Sequence, residues 1–220
     1  MIDKILMHKR IIPSMFACLL FTTITSLGQD INTIAKYGID VNFGVPNGLK
    51  QGNKAPFFIA EAINGKEINL KKELEEDNVV LIFYRGEWCP VCNRYLSNFQ
   101  DSLTYIEATG AKVFAVTPEK PSSALKLKEK VHATFTIIPD PSEEIMKSYD
   151  VLFNVTDAYQ QKIRNALDAD IASNNNKKDA HLPIPATYII NKQGVIVYRQ
   201  FDLDYHIRAS IKDILSHLPD

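Results

Sequence analysis

Apolar residues follow two different rhythms along this chain. From Val79 to Tyr84 every position is apolar or aromatic, which predicts a strand buried on both faces. After the break at Arg85-Gly86, apolar positions recur at Leu96, Phe99, Leu103 and Ile106, in steps of three and four that trace one face of a helix ending near Gly110. The order is therefore strand, short turn, helix. The same reading continues in both directions. Phe57 to Ile63, Asn64-Gly65 and Lys66 to Leu70 predict a β-hairpin, because Asn-Gly favours a two-residue turn. Lys71 to Asp77 forms a short polar helix or turn. Ala111 to Val116 is a second apolar strand stopped by Thr117-Pro118, followed by a helix over Ser122 to Val131 and a short strand over Phe135 to Ile138. Asp140-Pro141-Ser142-Glu143 has the form of a helix start, with Asp140 as N-cap and the helix running to about Tyr149.

The segment 152–182 has the weakest periodicity and is set apart as an insertion, with a helix over Tyr159 to Ile171 and a polar loop over Ser173 to Asp179. Thr187 to Ile190 and Val195 to Phe201 then flank Lys192-Gln193-Gly194 as two strands. A last helix carries Ile207, Ile211, Ile214, Leu215 and Leu218 on one face. Strands alternating with helices, followed by a hairpin and a terminal helix, imply an α/β sheet.

Two cysteines, Cys89 and Cys92, fall at the start of the helix that follows the buried strand, with Trp88 before them and Pro90 between. The first turn of a helix presents unpaired N–H groups and the positive end of the dipole, so a thiolate is favoured there. Pro90 suits that turn because its missing N–H would have had no partner. Cys92 is in phase with the apolar stripe and should point inward; Cys89 precedes the first full turn and should be the more exposed sulfur. An exposed nucleophile beside a sheltered partner is the arrangement of a cycling disulfide. A static bridge over so short a loop would constrain the unfolded chain little. A four-ligand zinc site lacks nearby histidines, so neither a metal nor a cofactor is expected.

Composition narrows the setting. The first 28 residues combine Lys4, Lys9 and Arg10 with an apolar run from Ile11 to Leu27 and small residues before Gln29, a secretory signal pattern. The alternative is an uncleaved anchor, for which Pro13 and the Thr/Ser-rich second half leave the run short. Export, to a bacterial periplasm, is the expectation. Residues 29–53, rich in Gly and Asn, read as an extended arm, and residues 54–220 as one domain. Cleavage would leave only Cys89 and Cys92 of the three cysteines, which excludes a multiply stapled scaffold. A net charge of −1 gives no indication of nucleic-acid or anionic-membrane affinity, and no membrane span is expected in the mature chain.

The run Phe83-Tyr84-Arg85-Gly86-Glu87-Trp88-Cys89-Pro90-Val91-Cys92, with Leu96, resembles the thioredoxin-fold redoxins. So does the later Pro185-Ala186-Thr187-Tyr188-Ile189-Ile190-Asn191. The likeness is greatest to the peroxiredoxin-like branch of the alkyl hydroperoxide reductase/thiol-specific antioxidant family, and the front hairpin from Ala55-Pro56-Phe57 fits it too. It covers the chain from about Asn53 onward. It implies a thioredoxin-like fold, with a central mixed sheet flanked by helices and an N-terminal β-hairpin extension. It also implies Cys89 as the nucleophilic, peroxidatic thiol and Cys92 as the resolving thiol. Pro185 would match the cis-proline that faces the disulfide, leaving the backbone of Ile184 free to pair with a substrate chain.

This sequence departs from the pattern in places. Gly86 and Ile82 stand where peroxiredoxins place a hydroxyl residue and a proline. Pro185 occupies the region of a later arginine, for which Arg85 is the candidate substitute. Phe83 stands where thioredoxins carry a buried acid. The expected function is an antioxidant thiol oxidoreductase reducing peroxides through a Cys89/Cys92 cycle regenerated by an external dithiol. The rivals are a thiol-disulfide reductase acting on exported proteins, and a non-catalytic binding domain. The oligomeric state is not readable from the sequence.

Overall fold

The computed structural model describes residues 34–219; the leader reading of residues 1–28 lies outside them. Strand β3 (Asn78–Phe83) lies at the centre of a five-stranded sheet. On one side it pairs in parallel with β4 (Ala111–Thr117), which pairs in parallel with β5 (Thr136–Pro139). On the other side it pairs antiparallel with β8 (Thr187–Ile190), which pairs antiparallel with β9 (Ile196–Gln200). All six residues of β3 are buried. Val80, Ile82 and Tyr84 pack into the core on one face, with both cysteines. Val79, Leu81 and Phe83 pack into the core on the other. This two-faced burial is why the strand reads as an unbroken apolar run rather than an alternating one.

Helices cover both faces. On the cysteine face, α2 (Pro90–Asp101) and α3 (Leu103–Glu107) contribute Leu96, Phe99, Leu103 and Ile106, and α4 (Pro121–Val131) adds Leu127 and Val131. The expected single helix to Gly110 is thus two, divided at Ser102, whose φ/ψ of −107°/0° leaves the helical region. On the opposite face lie α1 (Leu70–Glu76) and α5 (Glu144–Ser148). Helix α5 begins later than the Asp140 N-cap reading requires, because Glu143 adopts a left-handed φ of 65°. Asp140 still serves the helix, accepting the Met146 N–H at 3.0 Å.

The front hairpin forms from β1 (Ile59–Glu61) and β2 (Glu67–Asn69), a two-stranded sheet of its own. Its loop is longer than two residues, spanning Ala62 to Lys66 and closed by the Gly65 N–H on the Ala62 carbonyl. The arm of residues 29–53 is tied down where it is described. Ile39 is buried and bridges Val155, the Tyr37 hydroxyl donates to Asp204 at 2.9 Å, and the Gly52 N–H donates to the Ile196 carbonyl at 2.8 Å. No helix among the described residues is long and apolar enough to cross a membrane.

The segment 152–182 is more ordered than its sequence suggests. β6 (Leu152–Asn154) pairs antiparallel with β7 (His181–Pro183), so the insertion leaves and returns through one strand pair. Between them lie α6 (Asp157–Leu167), capped by the Thr156 side chain on the Tyr159 N–H, and α7 (Ile171–Asn174). The chain ends in α8 (Ile211–His217).

Candidate active site: a buried dithiol ringed by two arginines

Cys89 is the N-cap of α2, with extended φ/ψ of −86° and 108°, and Pro90 opens the helix. The Cys92 N–H points at the Cys89 Sγ at 3.3 Å, so the sulfur itself caps the helix. The turn before it is fixed at three points. The Cys89 N–H donates to the Gly86 carbonyl, the Asn93 N–H to the Cys89 carbonyl, and the Asn93 side-chain amide to the Glu87 carbonyl at 2.7 Å. Both thiols are free and their Sγ atoms lie 2.7 Å apart. A disulfide needs an S–S distance of about 2.05 Å, so closure requires a movement well under one ångström.

One expectation fails. Cys89 is not the exposed sulfur: it is 2 % exposed, against 0 % for Cys92. The cover combines near neighbours in sequence with residues from distant segments. Arg85, at the end of the central strand, is itself buried and donates from Nη2 to the Tyr159 hydroxyl of the insertion at 2.7 Å. Its guanidinium lies 4.0 Å from the ring centre of Tyr205, 5.1 Å from Trp88 and 5.4 Å from Tyr159. Trp88, 7 % exposed, belongs to the same packed cluster as both cysteines. Burial alone would lower the Arg85 pKa; the nearby sulfurs and the Tyr159 hydroxyl hold it above the ordinary value, so the guanidinium stays charged. Its Nε and Nη1 groups have no hydrogen-bond partner among the described residues.

A second arginine, not anticipated from the sequence, stands on the other sulfur. Arg208 Nη2 lies 3.5 Å from Cys92 Sγ, and its Nε is fixed by the Tyr205 carbonyl at 2.7 Å. Two buried sulfurs this close share one proton. The short contact to Cys92 and burial push the Cys89 thiol well up. Burial opposes charge on Cys92 as well, but the Cys89 thiol, Arg208 and Arg85 outweigh it and hold Cys92 well below the usual thiol range. In this closed arrangement the negative charge therefore rests on the Cys92 side, the reverse of the order expected from the helix start alone.

Ile184 and Pro185 also differ from expectation. There is no cis peptide bond among the described residues, so Pro185 is trans. The Ile184 N–H is already used by the Val151 carbonyl at 2.7 Å, and the Ala186 carbonyl accepts from the Phe83 N–H. The Val151 carbonyl, just before the strand pair that brackets the insertion, thus takes up the Ile184 N–H that was to receive a substrate chain.

Gly86, where a hydroxyl residue was missed, is fixed by packing. A methyl group there would overlap the Trp88 indole Nε1 and lie 2.8 Å from Glu119 Oε1. Glu119, at the carboxyl end of β4, is fully buried and accepts the Glu87 N–H at 2.9 Å. Sequence reading passed over it, although an acid directly after a parallel strand lies where α/β sheets place ligand chemistry. Gly86→Ala is expected to cost about 1–3 kcal/mol of stability through overpacking, measurable as a lower midpoint in urea. An unchanged midpoint would mean that the turn is not closely packed.

A groove of about 810 Å³ between the front hairpin and α5, lined by Phe58, Ile59, Pro139 and Ile145 among others, includes none of these residues. Its volume does not make it the site, since the reactive groups lie at the carboxyl end of β3, on the other core.

Known proteins share sequence and fold with this chain. The chain is 25 % identical over 171 residues to the chloroplastic peroxiredoxin Q of Oryza sativa subsp. japonica, covering 76 % of this chain and 68 % of the relative. It is 26 % identical over 167 residues to that of Populus jackii, covering 74 % and 67 %. Among solved structures it is similar in fold to peroxidoxin BcpB from Mycobacterium tuberculosis, with a TM-score of 0.59, 16 % identity and coverage of 77 % of this chain and 96 % of that one. It is also similar in fold to a DsbE-type thiol:disulfide interchange protein from Chlorobium tepidum, with a TM-score of 0.50, 21 % identity and coverage of 70 % and 86 %. The profile described as the AhpC/TSA family matches residues 51–199, which include the central strand, both cysteines, β8 and all but the last residue of β9. This chain belongs to the AhpC/TSA family.

Proposed function

We propose that the protein is a thiol peroxidase in which Cys89 and Cys92 alternate between dithiol and disulfide. The observation that carries this reading is the pair of free sulfurs 2.7 Å apart inside a covered, positively charged site. A small hydroperoxide needs little room, and its departing alkoxide develops negative charge that arginine N–H groups stabilise. Arg85 offers two such groups without other partners among the described residues. Transfer of the shared proton from Cys89 to Cys92 exposes a Cys89 thiolate. That thiolate attacks one peroxide oxygen, the O–O bond breaks, and the alkoxide takes the proton from Cys92. The Cys92 thiolate then displaces hydroxide from the Cys89 sulfenic acid, and an external dithiol reopens the disulfide.

The reading as a protein-disulfide reductase relied on an exposed Cys89 and free Ile184 backbone groups. Cys89 is buried and the Ile184 N–H is taken. Purified protein supplied with dithiothreitol should consume hydrogen peroxide or an alkyl hydroperoxide and should not precipitate insulin. Insulin reduction without peroxide loss would reverse the assignment.

A further inference from the structure

Glu119 is a fully buried carboxyl group at this site without an assigned task. One carboxylate oxygen accepts the Glu87 N–H, while Oε1 is buried with no hydrogen-bond partner among the described residues. That free oxygen and the equally unpartnered Trp88 Nε1 both border the space left by the missing side chain of Gly86. The Tyr84 hydroxyl is buried and unpartnered as well. Around the loop leading to Cys89 there thus meet a glycine that cannot be replaced without a clash, an indole N–H and the buried carboxyl group of Glu119, which comes from the end of β4.

We propose that Glu119 is the internal proton store of the dithiol. It would give up its proton when the Cys89–Cys92 bond forms and regain it when that bond is reduced. The role rests on the peroxidase reading for its first half only. The reduced pair carries one proton and one negative charge. Attack of Cys89 on the peroxide uses the pair's proton to make the alcohol. Attack of the Cys92 thiolate on the Cys89 sulfenic sulfur forms the S–S bond and breaks S–O. The leaving hydroxide then becomes water with the proton from Glu119, which is left as a carboxylate. Reduction by a dithiol returns two protons, one to the sulfur pair and one to Glu119.

The surroundings suit this role. Burial first, then the facing negative groups Glu87 on the preceding turn and Cys92 on α2, push the Glu119 carboxyl up to about 8, against the Glu87 N–H and Lys130. Lys130, on α4, is drawn off to the Glu87 carboxylate at 2.8 Å. Lys120, next in the chain, reaches the Ser173 carbonyl at 3.2 Å. Tyr84 stays neutral, since burial and then Glu119 push it well up. Glu119 is therefore protonated near neutral pH, and loses that proton as pH rises through about 8.

Trp88 is the only tryptophan of the chain and lies beside both Glu119 and Arg85, so its fluorescence follows the site directly. In stopped flow with hydrogen peroxide, the wild type should show a fast sulfenic-acid phase and a slower disulfide phase whose rate falls above about pH 8. Glu119→Gln, which keeps shape and packing, should leave the first phase within a few-fold. It should slow the second by about 10²-fold and remove its alkaline limb. A second phase with wild-type rate and pH profile in Glu119→Gln overturns the proposal. If the wild type gives no peroxide phase, the peroxidase reading fails by itself. The pH profile for reopening the disulfide with dithiothreitol then decides Glu119 alone: a limb near pH 8 lost in Glu119→Gln supports the store, and a limb retained rejects it.

Discussion

Cys89→Ser should leave no sulfenic acid after peroxide treatment and lower peroxide turnover by a factor on the order of 10⁴ or more, the scale seen when an essential nucleophile is removed. Cys92→Ser should form the sulfenic acid once, trap it, and stop. The two outcomes separate attack from resolution, which static charge does not: the resting charge lies toward Cys92, yet Cys89 holds the capping position at the helix start. A dimedone-type sulfenate probe read by mass spectrometry assigns the label to one sulfur. Labelling of the Cys89→Ser variant, and none of Cys92→Ser, would exchange the roles.

Arg85→Met should separate activity from stability. A buried guanidinium with two unpartnered nitrogens is a poor stabiliser, because its desolvation is only partly compensated. Against that, the substitution removes the hydrogen bond to Tyr159 and the stacking on Trp88 and Tyr205. The two effects oppose each other, so the melting temperature should change by only about a few degrees. Sulfenic-acid formation should slow by about 10²–10³-fold, the usual effect of removing one donor from developing oxyanion charge. The thiolate absorbance of the pair should shift to higher pH, because the lost positive charge favoured ionisation. Arg85→Lys would keep a charge without the planar fork and should recover only part of the rate. A large drop in melting temperature with unchanged thiol titration would instead make Arg85 a packing residue.

The strand-turn-helix unit was legible in the sequence because its signals are local. An apolar run, a proline at the helix start and three-to-four spacing each act within a few residues, and they placed β3, α2 and both cysteines correctly. The cover over the sulfurs was not legible. Tyr159, Tyr205 and Arg208 meet Arg85 and Cys92 only through tertiary packing, and no spacing within the chain encodes those meetings. The exposure of Cys89 was misjudged for the same reason: helix phase gives the direction of a side chain, not what lies on top of it. Ile184 and Pro185 were assigned by family likeness, while the strand pair bracketing the insertion, beside which the Val151 carbonyl takes up the Ile184 N–H, is made of short strands with little pattern of their own.

The concealment of the dithiol has a consequence for biogenesis. Arg208 lies 116 positions after Cys92, and Tyr205 stacks on Arg85 from the same later segment, so the sulfurs cannot be enclosed until that segment has been made and has docked. Contacts between such distant parts of a chain form late. During that interval the nascent polypeptide carries two naked thiols three positions apart, open to any oxidant or mixed-disulfide partner it meets. The selectivity of the folded protein is thus acquired only when that later segment docks.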